Sequence, residues 1–492
     1  MDRKKRFFSG LIAGYGAAAA NLIFTVSSVP IALHYLSKEE FGLWALVLQI
    51  ANFLMLLDLG MSSSVARFLA DHKDHKNQDT YGNVLQTGKL VFGIQALAMF
   101  LLTLLAGLAL PGWLGLPSQL VPAFQRLLWI QGLILAVGLT LRGYSSPLWA
   151  HQRIDITHWA NAANLLTALA TVAIGFHLGW GVDTFWISSL CGALWTWFVP
   201  WVAYHKLRFF SDPAHPGSFQ RPLFLRMLGF GRDVMLMQLG GLLCSASQII
   251  LVTKLLGLEA AAVFSVATKT LTMGQQLIGR ILESAAPGLT ELFVRGDRER
   301  FAKRFYQISS ISLVAATSLA VGLMTANRDF VLIWTHHTIQ WSRFGDFILA
   351  GSLISAVGVR CSQAVFGMSA DFSRVRWLAL GEGSVFVIVT LWLGASVGVE
   401  GVLAVALGTQ TLVSLIPSAV QTWKAFPSKS FWKECPAWIF MVFLVTTSIN
   451  AFLLAFAEKP LLIFALAFFL TSAAAFFLFI KLKKQLLGQA PL

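Results

Sequence analysis

The sequence predicts an all-α polytopic membrane protein with about fourteen transmembrane helices. Hydrophobic residues make up 56% of the 492-residue chain and charged residues only 12%, whereas a soluble domain carries roughly 25% charged residues. Apolar segments of about 20 residues, long enough to cross a bilayer core of about 30 Å, recur along the whole chain. These segments do not alternate with the period of two that marks a membrane barrel strand, so helices are indicated.

The predicted spans follow from hydropathy and from the breaker residues between apolar segments. The basic start, Met1 to Arg6, precedes an apolar stretch without a small-residue cleavage pattern, which indicates a first span and not a signal peptide. The spans are placed at 7–33, 41–66, 84–110, 123–149, 157–178, 184–204, 225–253, 259–288, 305–326, 345–370, 377–397, 401–423, 436–456 and 460–480.

The charges of the connections between spans predict the orientation. Basic residues concentrate in one alternating set of connections, which includes the cluster from Arg295 to Arg304 and the tail from Lys481 to Lys484. Cytoplasmic connections carry such an excess of Lys and Arg, so both termini are predicted to be cytoplasmic. The net charge of +14 then reflects topology and contact with anionic lipid headgroups, and no nucleic-acid partner is predicted.

A weak internal duplication predicts two six-helix lobes. A shift of about 220 residues aligns His34–Leu46 with Lys254–Ala267 and brings Arg142 close to Arg360. A repeated unit with an even number of spans gives two lobes in a pseudo-twofold relation about an axis along the membrane normal. The predicted domains are an N-lobe at 1–205 (spans one to six), a cytoplasmic inter-lobe loop at 206–225, a C-lobe at 226–424 (spans seven to twelve), and a region at 425–492 with the last two helices and a basic cytoplasmic tail.

The stretch from Ala32 to Asp71 resembles a known family. It reads ALHYLSKEEFGLWALVLQIANFLMLLDLGMSSSVARFLAD, and it is similar to the first helical hairpin of the polysaccharide-transporter (O-antigen flippase-like) family, part of the multidrug/oligosaccharidyl-lipid/polysaccharide exporter superfamily. The YLSKEEFGLWAL and LLDLG segments and the following Arg67 carry the resemblance, together with the span count and the duplication.

This resemblance implies a flippase in the bacterial cytoplasmic (inner) membrane. The flippase would move a polyprenyl-diphosphate-linked oligosaccharide from the cytoplasmic to the outer leaflet by alternating access, for surface polysaccharide biosynthesis (O-antigen, capsule or exopolysaccharide). The expected partners are the lipid-linked glycan, membrane lipids, a polysaccharide polymerase and glycosyltransferases, around a monomeric chain. The glycan itself is not identified.

Polar residues inside spans mark the predicted substrate cavity. Each ionisable side chain costs about 2.5–3.5 kcal/mol to insert at the centre of a span, so such groups face water or one another. In span eight, Lys269, Gln276 and Arg280 recur at helical intervals and form one stripe. Hydroxyl and amide groups in spans one and seven form milder stripes that would suit sugars. The predicted substrate-binding residues are Arg360, Arg280, Lys269, Arg142, Gln276, Asn21, Thr25, Ser28, Ser245 and Gln248.

Asp58 is predicted to act in gating or coupling. It stands near the end of the second span and is expected to pair with Arg142 or Lys89, as a lock at the cytoplasmic end of the N-lobe. The small residues Gly60–Ser64 let neighbouring helices approach closely there. A structural ion pair is favoured over direct substrate contact.

Glu283 and Glu382 complete the predicted coupling or gating set, which also contains Lys89. Glu382 either pairs with Arg360 or binds a coupling ion, and the sequence leaves both interpretations open. Glu283 lies three residues after Arg280, so the two either neutralise each other or line the cavity.

No cofactor, metal or catalytic residue is predicted, and proton or sodium coupling is left open. The spacing of His72 and His75 would suit a metal, but a solvated cytoplasmic loop is the favoured interpretation. The sequence contains no GxxxxGK[ST] motif, so ATP hydrolysis is excluded as the driving force.

Two alternative functions compete with the flippase. A cation-coupled multidrug or small-solute exporter of the same superfamily would favour carboxylates in its cavity, whereas five bases face three acids among the ionisable candidates here. A membrane glycosyltransferase or acyltransferase would need catalytic groups at a water-facing surface. The longest predicted outer loop, Asn327 to Phe344, offers little beyond Asp329, His336 and His337, so the chain is not expected to be an enzyme.

A reporter fused after Leu492 tests the predicted orientation. We expect no activity from alkaline phosphatase at this position, because its disulfides form only in the oxidising periplasm. The same reporter fused after Thr338, in the predicted outer loop, is the matched control and should be active. Phosphatase activity from the Leu492 fusion would overturn the span count or the orientation.

Overall fold

A computed structural model describes residues 3–72, 78–209, 216–368 and 372–425, and within these ranges it contains helices and connections but no β-strand. Three 3₁₀ turns (Met55–Asp58, Gly181–Asp183, Gly394–Val397) and one π-turn (Gln410–Leu415) interrupt or join the helices. The α-helices in these ranges are α1 (Arg3–Tyr35), α2 (Lys38–Leu54), α3 (Met61–His72), α4 (Gln78–Leu114), α5 (Val121–Ala150), α6 (Ile154–His177), α7 (Thr184–Lys206), α8 (Arg221–Leu256), α9 (Leu258–Ala267), α10 (Lys269–Val294), α11 (Arg298–Trp334), α12 (Arg343–Met368), α13 (Phe372–Leu393), α14 (Gly398–Thr409) and α15 (Ile416–Ala425).

The prediction of an all-α membrane protein is confirmed. In the described part of the chain, eleven helical stretches are long and apolar enough to cross a membrane. Each of the first twelve predicted spans overlaps one or more helices. The last two predicted spans, 436–456 and 460–480, lie outside the described residues, so the total of fourteen stays a prediction.

The second predicted span, 41–66, differs from the structure because the helix stops early. α2 begins at a capping box, in which Ser37 Oγ accepts a hydrogen bond from the Glu40 amide and the Glu40 carboxylate accepts one from the Ser37 amide. After the 3₁₀ turn Met55–Asp58, the backbone enters the left-handed region at Leu59 and Gly60, with φ values of 51° and 70°. Left-handed residues end helices, so α3 is a separate helix.

The eighth predicted span, 259–288, is divided between α9 and α10. The Thr268 hydroxyl donates to the Phe264 carbonyl at 2.8 Å, and the Thr272 hydroxyl donates to the Thr268 carbonyl at 2.9 Å. Threonine hydroxyls that bond to the preceding turn often bend helices, and the interruption lies at Thr268. Neither piece is among the eleven candidate spans, since α9 has only 10 residues and α10 contains many polar side chains.

The chain divides into two compact units, Met1–Ala262 (unit 1) and Val263–Leu492 (unit 2). In unit 1, α1 packs against α6, α5 packs against α4 and α7, and α8 packs against α2, α3 and α4. In unit 2, α10, α11 and α12 pack against one another, and α14 packs against α12 and α13. The predicted lobes were drawn from the internal repeat and assign α8 to the second lobe, whereas the compact units include α8 in unit 1. The two-lobe repeat therefore stays a prediction.

The predicted inter-lobe loop, 206–225, is partly held against α4. Gly217, at φ 78°, packs on the backbone of Gly82. The Ser218 amide donates to Asn83 Oδ1 at 2.7 Å, and the Gln220 amide follows with a bond to the Thr87 hydroxyl. This end of the connection is therefore part of unit 1 and not a free tether.

Two glycines let α8 cross the turn before α3 in backbone contact. A Cβ on Gly60 would lie 2.3 Å from the Gly231 carbonyl oxygen, and a Cβ on Gly231 would lie 2.5 Å from the Leu59 carbonyl oxygen. Ser64 Oγ, which is buried, donates to the Met227 carbonyl of α8 at 2.8 Å. The small residues predicted to allow close approach in this region are in fact at a helix crossing.

Replacing Gly231 tests how much this crossing contributes to stability. We expect Gly231→Ala to lower the free energy of unfolding by about 1–3 kcal/mol, because backbone atoms must move to admit the methyl group. Gly229→Ala is the matched control, since its Cβ would meet nothing within 4 Å and alanine favours helix. Thermal unfolding of the two detergent-purified variants makes the comparison, and equal midpoints would show that the crossing is not tight.

Candidate functional site

Asp58 is the centre of a buried polar cluster in unit 1. The residue is only 6% exposed, and its Oδ1 lies 3.1 Å from Arg142 Nη1 of α5. Ser62 Oγ bridges the pair, since it donates to Asp58 Oδ1 at 2.5 Å and accepts from Arg142 at 2.8 Å. Gln95 of α4 donates to the Asp58 carbonyl at 3.0 Å. The cluster joins three helices through one residue, with Ser62 and Arg142 on the Asp58 carboxylate and Gln95 on its main-chain carbonyl, and of the two predicted partners it uses Arg142.

Lys89, the other predicted partner of Asp58, contacts aromatic rings instead. Its Nζ lies 4.9 Å from the centre of the Tyr144 ring and 5.2 Å from that of the Tyr204 ring, distances at which an ammonium group is attracted by the ring face. Gly143 makes room for its stem, because a Cβ there would lie 2.7 Å from Lys89 Cγ. Within the described ranges no carboxylate forms an ion pair with Lys89.

The polar stripes predicted in spans one and seven are accessible but not strongly exposed. Asn21, Thr25 and Ser28 of α1 are all half-buried. In α8, Gln248 is half-buried, and the exposed Ser245 donates its hydroxyl to the Gly241 carbonyl at 2.8 Å. Both stripes lie in unit 1, and their role in sugar binding stays a prediction.

The predicted stripe of α10 contains an exposed ion pair. Arg280 Nη1 lies 3.0 Å from Glu283 Oε2, and the two side chains are 60% and 58% exposed. Gln276 is exposed as well, and Lys269 is half-buried. An ion pair this exposed contributes little to stability, so the two groups neutralise each other in part yet stay available to a ligand.

Arg360 of α12 is an exposed cation whose guanidinium group lies against α10. A Cβ on Gly279 would fall 2.0 Å from Arg360 Nη1, so the missing side chain at this glycine makes space for the guanidinium. Among the described residues no carboxylate forms an ion pair with Arg360. Its charge is therefore not neutralised by that part of the chain.

Among the described residues, Glu382 of α13 forms no ion pair with Arg360, so the structure does not show one of its two predicted pairings. The side chain is buried, and it accepts a hydrogen bond from the Ser414 hydroxyl. Ser414 lies in the π-turn Gln410–Leu415, and Thr411 of the same turn lies 3.2 Å from the Ser355 hydroxyl of α12. π-turns are frequent at functional sites, and the alternative that Glu382 binds a coupling ion remains a prediction.

A buried network in unit 2 was not predicted from the sequence. Asp346 of α12 accepts hydrogen bonds from Asn327 Nδ2 at 2.7 Å and from the Arg328 amide at 3.0 Å. The Thr270 hydroxyl donates to Asn327 Oδ1 at 2.5 Å, so the network joins α10, α11 and α12. Asp346 lies one residue inside the tenth predicted span, and an ionisable residue inside a span boundary was the signal that could have revealed it.

The described ranges contain no candidate metal site. No group of three or more His, Cys, Asp or Glu side chains there could hold a metal ion. His72 Nδ1 lies 2.8 Å from the Phe68 carbonyl oxygen, and His75 lies outside the described residues.

These helices and their buried charges define a multi-pass membrane transporter fold. The chain belongs to the family of polysaccharide biosynthesis proteins, whose sequence model matches residues 10–293, more than half of its length. The resemblance to the polysaccharide-transporter family of the multidrug/oligosaccharidyl-lipid/polysaccharide exporter (MOP) superfamily is confirmed. Comparison with curated proteins gives no match.

Solved transporter structures share the fold at low sequence identity. The lipid II flippase MurJ in an inward closed conformation has a TM-score of 0.68 and 15% identity, over 94% of this chain and 99% of that chain. An inward-facing MATE family multidrug resistance transporter has a TM-score of 0.68 and 14% identity, over 83% and 95%. A MOP superfamily transporter from Pyrococcus furiosus has a TM-score of 0.61 and 13% identity, over 87% and 98%. At these identities the likeness shows the fold alone.

Removing the Asp58 carboxylate tests the cluster of unit 1. We expect Asp58→Asn to lower the free energy of unfolding by about 1–3 kcal/mol, less than the about 3–5 kcal/mol of a fully buried pair, because 30% of the Arg142 side chain is exposed. The double variant Asp58→Asn/Arg142→Gln should recover part of the loss, since it leaves no unpaired charge. Glu283→Gln, in an exposed pair, is the control and should change stability by less than about 0.5 kcal/mol. The free energies of unfolding are measured by chemical denaturation of the purified proteins. An Asp58→Asn protein as stable as wild type would contradict the predicted structural role of the Asp58–Arg142 pair.

Proposed function

We propose that this protein is a flippase that carries a polyprenyl-diphosphate-linked oligosaccharide from the cytoplasmic to the outer leaflet, for biosynthesis of a surface polysaccharide such as O-antigen, capsule or exopolysaccharide. Membership in the polysaccharide biosynthesis family supports the pathway. The observation that carries the proposal is Arg360, an exposed guanidinium group on a membrane helix without a carboxylate partner among the described residues. A cation in this state is suited to an anionic substrate.

The proposed mechanism divides the substrate among three environments. Arg360, with Arg280 and Lys269, would bind the diphosphate, because a guanidinium group can donate two parallel hydrogen bonds to phosphate oxygens. The polar stripes of α1 and α8 would form hydrogen bonds with the glycan. The polyprenyl tail would stay in an apolar environment while the protein alternates between its two orientations.

Coupling to a proton or a sodium ion is part of the proposal. Glu382 is the group best suited to it, since it is buried, has a hydroxyl partner and lies beside the π-turn. The Asp58–Arg142 pair would act as a lock that opens and closes at the cytoplasmic end of unit 1. No organic cofactor or metal is proposed.

The proposed setting is a bacterial cytoplasmic membrane with both termini in the cytoplasm. The protein would act as a monomer on a lipid-linked glycan, among membrane lipids, with glycosyltransferases supplying the substrate and a polysaccharide polymerase receiving it. The glycan itself is not assigned by any residue of the chain.

A multidrug or small-solute exporter is the second candidate, because MATE transporters share the fold. Cationic compounds would be held by carboxylates, yet Glu283 is partly neutralised by Arg280 and Glu382 is buried. Arg360, by contrast, is an exposed cation with no ion pair to a carboxylate among the described residues. A membrane glycosyltransferase or acyltransferase is the least favoured alternative, and no residue is assigned a catalytic role.

Arg360→Ala tests the proposed contact with the diphosphate. We expect normal membrane abundance, because no ion pair of the described residues is broken, but export reduced about tenfold or more, as lost hydrogen bonds to a charged group are worth about 1.5–3 kcal/mol. Arg360→Lys should recover part of the activity, since it keeps the charge and loses the planar fork. Surface polysaccharide and membrane abundance are measured together.

Two further variants make this test specific. Arg343→Ala removes an exposed cation from the first turn of the same helix and should leave export unchanged. Gly279→Ala should lower export while Arg360 is still present, because the added methyl displaces the guanidinium group. Wild-type export from a well-expressed Arg360→Ala protein would sink the proposed role of this residue.

A further inference from the structure

Unit 1 contains an apolar cavity of about 400 Å³ between α2, α4 and α8. This volume lies within the range of about 300–1,000 Å³ that is usual for ligand pockets. The residues that line it are all apolar, among them Leu57, Leu59, Ala106 and Met235. Leu102, also in the lining, is 44% exposed, so the cavity can be reached from outside unit 1.

Such a cavity needs an apolar occupant. Water gains no hydrogen bonds among leucine and methionine side chains, and cavities of this character stay dry. An empty cavity deprives its lining of dispersion contacts, which is costly. The helices are also held in place beside it, because Gly60 and Gly231 fix α8 in backbone contact with the turn. In a membrane protein, a hydrocarbon chain is the solute that meets these conditions.

The polar cluster lies on the same short turn as the cavity lining. Asp58 stands between Leu57 and Leu59, both of which line the cavity. Its cluster contains Arg142. The Lys89 side chain packs against Gly143, the residue that follows Arg142 in α5. The ionised groups named here are two cations and one carboxylate, so a surplus positive charge remains. An apolar cavity next to a positive surplus is complementary to a lipid with an anionic headgroup.

We propose that this cavity binds a segment of the isoprenoid tail of a polyprenyl diphosphate at a first stage of transport, with the diphosphate held by Lys89 and Arg142 before Arg360, Arg280 and Lys269 receive it. The inference rests on the proposed function and deepens it, because it moves part of the tail from bulk lipid into unit 1. A diphosphate carries several negative charges and can compete with the Asp58 carboxylate for Arg142, whereas a phosphodiester carries a single charge. Substrate binding would thereby open the Asp58–Arg142 lock.

Photocrosslinking in lipid nanodiscs tests this site on the full chain. One probe is a polyprenyl diphosphate with a diazirine group in its tail, and the other is phosphatidylglycerol with a diazirine group in an acyl chain. We expect the first probe to label cavity-lining residues, such as Leu102 and Met235, and the second to label them weakly and to be displaced by unlabelled polyprenyl diphosphate. Peptide mass spectrometry locates the labels.

Variants on one helix separate the cavity from the general lipid surface. Ala106→Trp fills the cavity, and labelling of its lining should fall at least about tenfold, the loss expected from about two fewer buried methylene groups. Leu105→Trp is the matched control, since Leu105 does not line the cavity and is 60% exposed, and its labelling should equal that of wild type. Ala106→Leu fills the space more gently, and its labelling should also fall.

Charge variants test the headgroup half of the site. Lys89→Met should weaken labelling by the diphosphate probe but not by phosphatidylglycerol, and Lys89→Arg should restore it. Equal labelling of the cavity by both probes, without competition, would overturn the proposal in favour of a general lipid site. Diphosphate-probe labels confined to other parts of the protein would overturn it while the flippase proposal stands. A complete lack of labelling by the diphosphate probe would overturn both.

Discussion

The backbone contact between Gly231 and the turn at Leu59–Gly60 is the constraint on which unit 1 depends. Carbonyl groups and α-carbons approach there to distances that any side chain would prevent. The approach is possible because the chain has left the helix, with left-handed backbone at Leu59 and Gly60. Asp58 directly precedes this turn, so the crossing also fixes where its carboxylate meets Arg142. Packing and electrostatics in unit 1 therefore share one local geometry.

The charged side chains described in the two units differ in burial and in ion pairing. In unit 1 the carboxylate of Asp58 is buried, and its partners come from α3 and α5. In unit 2 the Arg360 guanidinium group lies on a glycine and stays exposed, while Glu382 and Asp346 are buried among uncharged partners. The described part of unit 1 thus holds Arg142 in an ion pair, whereas the described part of unit 2 leaves Arg360 without one.

Hydropathy predicts the helices well, because the bilayer imposes length and apolarity on every span. The cost of inserting a charge likewise indicated Arg142 or Lys89 as the partner of Asp58, and the structure shows Arg142. The turn at Leu59–Gly60 was missed, since a run of small residues is typical of a packing surface in a continuous helix. The partner of Glu382 could not be predicted for another reason. A contact between helices that are distant in sequence depends on how each helix is rotated about its own axis, and a local sequence pattern does not encode this rotation.

The π-turn Gln410–Leu415 shows how such a chain can absorb an inserted residue. A wider turn holds one residue more than an α-helical turn, and each added residue rotates the rest of the helix by about 100° around its axis. Ser418 and Thr422 of α15 are both buried. Because the π-turn precedes them, they face other directions than they would if α14 continued as a regular α-helix. Sequence halves that descend from one ancestor lose their common numbering at such a point. A single offset between them then stops matching equivalent faces, even while the helices themselves persist.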